Sequence, residues 1–246
     1  MNCEGRSHVG LVRQINQDAY EIHPLPGGGV LAVVCDGMGG PAGGEVASTI
    51  SVEWVSQRIV SNYTTFSSED ELLDLVRGAI EEANAEIFDR SLRDVELSGM
   101  GTTVVLALAT EQTAYLANVG DSRAYLYSTQ NGVGKLTQIT HDHSVVQELV
   151  DGGSLSSEEA RNHPKKNIIT RALGTQSSVN VDYFKVALVP GDKLLLCSDG
   201  LSNMLEEQQM CALLGMSDGD AVLDALIQAS LDAGANDNVT AVLITR

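Results

Sequence analysis

The chain has 246 residues, of which 43% are apolar and only 4% aromatic, so a sizeable core has to be built from Val, Leu, Ile and Ala rather than from rings. Its formal charge of −18, from 33 acidic against 15 basic residues, repels a phosphate backbone and argues against nucleic acid as a partner. The same field admits a phosphorylated substrate only where cations or an arginine reverse it locally.

Cys3, Cys35, Cys197 and Cys211 show no C-x-x-C spacing and read as reduced thiols rather than a disulfide or zinc framework. No basic region followed by an apolar stretch opens the chain, and no apolar run approaches the roughly 20 residues of a membrane span. A cytoplasmic protein with no membrane partner is therefore expected. No repeat, low-complexity tract or long charge block divides the sequence, so residues 1–246 are taken as one domain.

Gly27-Gly28-Gly29, after Pro24 and Pro26, predicts a hairpin turn. The nearly continuous apolar runs 30–35, 104–109, 114–119, 193–197 and 239–244 predict buried strands. Between the first two lie two helices. One is predicted over 44–59, with Val46, Ala47, Ile50, Trp54 and Val55 on its buried stripe. The other runs over 69–93 behind the capping box Ser68-Glu69-Asp70-Glu71, with Leu72, Leu73, Val76, Ile80, Ala83 and Ile87 inward. Short helical pieces follow at 147–150 and 156–162, and a last helix at 221–233 precedes the final strand. Strands with helices inserted in pairs predict a layered α+β fold.

Four apolar runs begin or end at an aspartate: Val34-Cys35-Asp36-Gly37, Val119-Gly120-Asp121-Ser122, Cys197-Ser198-Asp199-Gly200 and Asp237-Asn238-Val239-Thr240. Singly, each is an ordinary turn former. Together they place carboxylates at strand edges, where a scaffold presents function. Converging carboxylates repel one another unless cations neutralise them. All-oxygen ligands select Mg²⁺ or Mn²⁺ over zinc, and two such ions can activate a water for attack on phosphorus. Arg13, in Arg13-Gln14-Ile15-Asn16-Gln17-Asp18, suits phosphate because a guanidinium matches its oxygens bidentately, although an arginine beside an aspartate is more often a surface ion pair.

With Gly101-Thr102-Thr103, Gly120-Asp121-Ser122-Arg123-Ala124, Asp142-His143-Ser144 and Ser198-Asp199-Gly200-Leu201 added, the motifs span nearly the whole chain. In that order they resemble the metal-dependent protein phosphatase family, type 2C, in its compact bacterial form. The resemblance implies a serine/threonine phosphatase with a four-layer α/β/β/α sandwich, two antiparallel sheets flanked by helix pairs. It implies two to three Mn²⁺ or Mg²⁺ ions per chain. Asp36 bridges two of them, Gly37 offers its carbonyl to the second, Asp199 and Asp237 hold the first, and Asp121 with Asp199 holds a third. Arg13 takes the phosphate and Asp18 orients waters around the ions. Residues 153–166 resemble a mobile flap beside the cleft. The implied partner is a phosphorylated protein, the substrate of a Ser/Thr kinase, and the implied state is a monomer.

Two positions depart from the family pattern. Pro41 stands where bacterial members commonly carry a histidine that protonates the leaving group, and the loss of such a group costs on the order of 10² to 10⁴ in rate. Gln17 stands where some members carry glutamate, which weakens a water-mediated contact to the second ion. His143 reads as a structural hydrogen-bonding group in an Asp-His-Ser turn. Gly120-Asp121-Ser122-Arg123-Ala124 comes close to a serine-hydrolase elbow but has alanine at its last position. Gly37-Met38-Gly39-Gly40 lacks the downstream glycine and Lys-Ser/Thr of a phosphate loop. No cysteine has arginine six residues on, which excludes a cysteine phosphatase. A pseudophosphatase that binds a phosphoprotein without turnover is the non-enzyme alternative, and Pro41 motivates it.

Overall fold

The computed structural model describes residues 1–65, 68–130, 132–216 and 219–246. The chain opens with strands β1 (Asn2–His8), β2 (Asp18–Leu25) and β3 (Gly29–Met38), followed by helices α1 (Gly40–Asn62) and α2 (Glu69–Arg93). Strands β4 (Gly101–Thr102), β5 (Val104–Ala109), β6 (Thr113–Val119), β7 (Arg123–Gln130) and β8 (Val133–Gln138) come next, then short helices α3 (Val145–Asp151) and α4 (Ser157–Arg161). The chain closes with β9 (Asp182–Ala187), β10 (Lys193–Cys197), α5 (Asp199–Ser202), α6 (Glu207–Leu214), α7 (Gly219–Asp232) and β11 (Val239–Thr245).

Two antiparallel sheets result. One has the order β1-β11-β10-β7-β8 and the other β2-β3-β5-β6-β9, with β4 paired to the end of β3. Side-chain alternation along the strands explains why they read as unbroken apolar runs: both faces are covered. Leu31, Val33, Cys35, Leu106 and Leu108 pack into a core with α1 and α2. Their neighbours Val30, Ala32, Val34, Val105 and Ala107 meet Leu194, Leu196, Val242 and Ile244 of the other sheet. The opposite faces of β10 and β11, through Leu195, Cys197, Ala241 and Leu243, pack on Met210 and Leu214 of α6 and Val222, Leu223 and Leu226 of α7. Three cores separate four layers, the α/β/β/α sandwich that the resemblance implies.

The five apolar strands lie where the sequence puts them, to within a few residues, and Ser68 and Glu71 form the expected capping box. The turn over Pro26–Gly28 closes the β2–β3 hairpin. Helix α1 starts at Gly40 rather than 44, because a proline is compatible with a first helical turn, where its missing N–H has no partner to lose. Trp54, expected on the buried stripe, is 43% exposed. Ala47, Ile50 and Val55 are buried as expected, and Val52 and Ile59 complete that face. Leu73 and Val46 are only half-buried. Strands β1, β2, β7, β8 and β9 carry too many polar residues to have shown as apolar runs.

Candidate metal centre

The acidic groups meet at one end of the sandwich. Antiparallel pairing sets Asp18, at the start of β2, opposite Asp36, near the end of β3. Asp121 lies in the turn from β6 to β7, Asp199 opens α5 directly after β10, and Asp237 lies just before β11. Arg13, Asp36, Gly37, Asp121, Asp199 and Asp237 all line one open cleft of about 550 Å³. Asp18 lies behind it, buried.

Each group is held by hydrogen bonds from neighbouring segments. The Asp36 N–H donates to Thr103 Oγ1 at 2.9 Å, and its carbonyl accepts from Thr102 Oγ1 and from the Thr103 N–H, both at 2.9 Å. Thr103 Oγ1 also lies 2.7 Å from Ser122 Oγ, beside Asp121. Asp199 Oδ2 accepts from Asn203 Nδ2 at 2.9 Å. Asn238 ties the 9–17 loop to β11: its Nδ2 donates to the carbonyls of Val9 (2.9 Å) and Ile15 (3.0 Å), and its Oδ1 accepts from the Gln17 N–H (2.8 Å). That loop carries Arg13. A Cβ on Gly37 would stand 2.0 Å from the Gly44 carbonyl oxygen, so glycine is required there for helix α1 to approach β3.

Burial, with the neighbouring carboxylates, pushes the Asp36 and Asp121 pKa values well above the ordinary range. Asp18 is raised to about 7 by burial, against hydrogen bonds from Ser198 and Thr240, with Asp199 and Asp237 adding repulsion. Asp199 is raised to about 6, chiefly by burial and then by Asp237. Arg13 Nη2 donates to Asp237 Oδ2 at 2.9 Å, which raises the guanidinium pKa. Among the described residues the other nitrogens of Arg13 make no hydrogen bond and remain available in the cleft.

These groups fit a divalent cation of the hard class. Asp18 Oδ2 accepts from Ser198 Oγ at 2.7 Å, while its buried Oδ1 has no hydrogen-bond partner, an atom that burial makes costly unless a cation or ordered water answers it. The donors are carboxylate and backbone oxygens, the ligands of Mg²⁺ and Mn²⁺. Among the described residues no three acidic, His or Cys side chains are drawn into a ready-made chelate. Like charges at a buried site hold apart until a cation draws them together.

His143 is structural. The Gly120 N–H donates to its Nδ1 at 3.0 Å, and its Nε2 lies 2.9 Å from Arg171 Nη1 and 3.2 Å from the Asp182 carboxylate that Arg171 also binds. Burial lowers its pKa and keeps it neutral. Ser122 is fully buried and bonded to Thr103, so it faces no base that could make it a nucleophile. Gln17 Nε2 donates to the Gly40 carbonyl at 2.8 Å, bracing the start of α1. The Pro41 side chain lies outside the described residues. In the flap segment, Arg161 Nη2 donates to the Leu205 carbonyl at 2.7 Å and its Nε pairs with Glu206 at 2.9 Å, and Asn167 and Ile169 just beyond it form part of the cleft wall. Thr103, Ser198, Asn203 and Asn238 hold the site although the sequence assigns them no role. For Thr103, Ser198 and Asn238 their presence inside the motifs was the only signal, and Asn203, two residues beyond the Ser198–Leu201 motif, had none.

The model of the protein phosphatase 2C family matches residues 4–243. A serine/threonine phosphatase, stp, of Listeria monocytogenes is 39% identical over 247 residues, covering 100% of this chain and 96% of that protein. The crystal structure of serine/threonine phosphatase Stp1 from Staphylococcus aureus superposes with a TM-score of 0.92 at 35% identity, covering 99% of this chain and 94% of that one. The catalytic domain of serine/threonine protein phosphatase PstP, solved with two manganese ions, superposes at 0.85 with 33% identity, over 98% and 96% of the two chains.

Proposed function

The chain belongs to the protein phosphatase 2C family, and we propose that it removes phosphate from phosphoserine and phosphothreonine in proteins with a divalent-metal centre built on Asp36, Gly37, Asp121, Asp199 and Asp237. It is a metal-dependent serine/threonine phosphatase. The observation that carries the assignment of residues is that four carboxylates and Arg13 line one cleft, with the further carboxylate of Asp18 behind them.

Mn²⁺ or Mg²⁺, when bound, polarises phosphoryl oxygens and lowers the pKa of water. Asp36 would bridge two ions, with Gly37 presenting its carbonyl and Asp199 and Asp237 completing the set. Asp121 and Asp199 would hold a further one. Arg13 offers its unbonded guanidinium nitrogens to two phosphate oxygens at once and so fixes the phosphorus in the cleft. Asp18, with one oxygen held by Ser198 and the other buried without a partner, would orient waters around the ions.

Among the described residues lining the cleft none is a histidine, lysine or tyrosine. The departing serine or threonine oxygen therefore takes its proton from water, and a phenolate, which leaves with little protonation, is released relatively faster. The phosphoprotein comes from a Ser/Thr kinase, and the enzyme works as a cytoplasmic monomer without nucleic acid or membrane. No described helix is long and apolar enough to cross a membrane.

The test is phosphate release from an aryl phosphate and from a phosphothreonine peptide with Mn²⁺ present. Turnover of both, with the aryl ester favoured, is expected. Turnover of neither would turn the chain into a phosphoprotein-binding module.

A further inference from the structure

A second chamber, of about 190 Å³, lies between the flap segment, α3 and the far side of the Asp121 and Asp199 carboxylates. Three cations reach its walls, Arg123, Arg161 and Lys166. Two are already committed. Arg123 binds Asp142 through Nε (2.9 Å) and Nη2 (2.7 Å) and donates from Nη1 to the Tyr125 hydroxyl at 3.0 Å. Arg161 is spent on the Leu205 carbonyl and on Glu206.

Lys166 is half-buried, and among the described residues its ammonium has no hydrogen-bond or ion-pair partner. The acidic groups on the same walls that no arginine pairs are Asp121, Asp199 and Glu207. An ammonium partly withdrawn from water gains most by facing carboxylates, and buried carboxylates gain equally from a cation.

We propose that Lys166 is a built-in counter-ion for the Asp121–Asp199 pair, so that the seated flap segment and a further divalent ion compete for the same two carboxylates, an inference that rests on the metal-dependent reading of the cleft. The electrostatics agree in direction: burial and Asp237 raise the Asp199 carboxyl, while Lys166 is among the groups that draw it back. The competition makes the number of ions bound a property of the flap. Linkage then requires the reverse as well, that filling this position loosens the segment carrying Lys166.

The experiment is a calorimetric Mn²⁺ titration of the full chain in three forms, the parent, Lys166→Met and Lys166→Arg, with tryptic cleavage after Lys165 followed in parallel. Lys166→Met is expected to bind its weakest Mn²⁺ at least about fivefold more tightly than the parent, the lower end of ordinary coupling between sites. Lys166→Arg is expected to match the parent. Mn²⁺ should speed cleavage after Lys165 in the parent, whereas in Lys166→Met cleavage is already fast without it. Parental Mn²⁺ affinity in Lys166→Met, or equal tightening in Lys166→Arg, overturns the proposal while leaving the metal centre standing. A parent that takes up no Mn²⁺ at all removes the metal centre and this proposal with it.

Discussion

Asp36 and Asp237 are held by different means, one by the threonine pair at 102 and 103 and one by Arg13 and its own neighbour's N–H. Replacing either by asparagine keeps the shape and removes the charge. Asp36→Asn and Asp237→Asn are expected to abolish Mn²⁺-dependent turnover while the far-ultraviolet spectrum stays parental. Loss of that spectrum would assign these residues to folding instead. Arg13→Lys keeps a positive charge but gives up the bidentate fork, so kcat/KM for a phosphothreonine peptide should fall about tenfold or more, in line with a strong hydrogen bond to charge. At position 41, Pro41→His should narrow the gap between aryl phosphate and peptide. Unchanged peptide turnover across pH would refute the account of the absent acid. The aspartates were legible because they punctuate apolar runs. Asn238 and Thr103 were not, because a hydrogen bond to a distant backbone leaves no periodic trace in the sequence.

At the level of elements, the readable strands were those buried on both faces, and each of them borders two of the three cores. Strand β1, with Glu4 and Arg6, and strand β9, with Asp182 and Lys185, lie at sheet edges, where charge guards an exposed edge and erases the apolar signature. Trp54 was misplaced because helical spacing fixes a stripe only to within a residue on a helix this long. The motif loops depend on connections between elements. Asn238→Ala removes three hydrogen bonds that hold the 9–17 loop to β11, at about 0.5–1.5 kcal/mol each. Chemical denaturation should show a loss of about 2–4 kcal/mol, and kcat/KM should fall further than stability because Arg13 loses its footing. Parental activity in the destabilised variant would separate the loop from phosphate binding.

For the whole molecule, a surplus of acidic groups gathered at one end of the sandwich makes stability depend on both pH and cation. A carboxyl whose pKa is raised on folding binds its proton more tightly in the folded state, so the stability it contributes is present at low pH and lost as pH rises. With Asp199 raised to about 6 and Asp18 to about 7 from an ordinary 3.8, the metal-free protein should lose melting temperature between about pH 4 and pH 7. Saturating Mn²⁺ should flatten that slope and, at about 100 times its Kd, add about 2.7 kcal/mol, or roughly 5–10 °C. Equal slopes with and without Mn²⁺ would mean that these carboxylates do not meet a cation. The most direct test of the metal centre is phosphate release from a phosphothreonine peptide by chelator-stripped protein as Mn²⁺ is added back. A carboxylate-held cation predicts no turnover before addition, a saturable rise with Mn²⁺, reversal by chelator and no rise in Asp36→Asn; turnover that ignores both Mn²⁺ and chelator would contradict it.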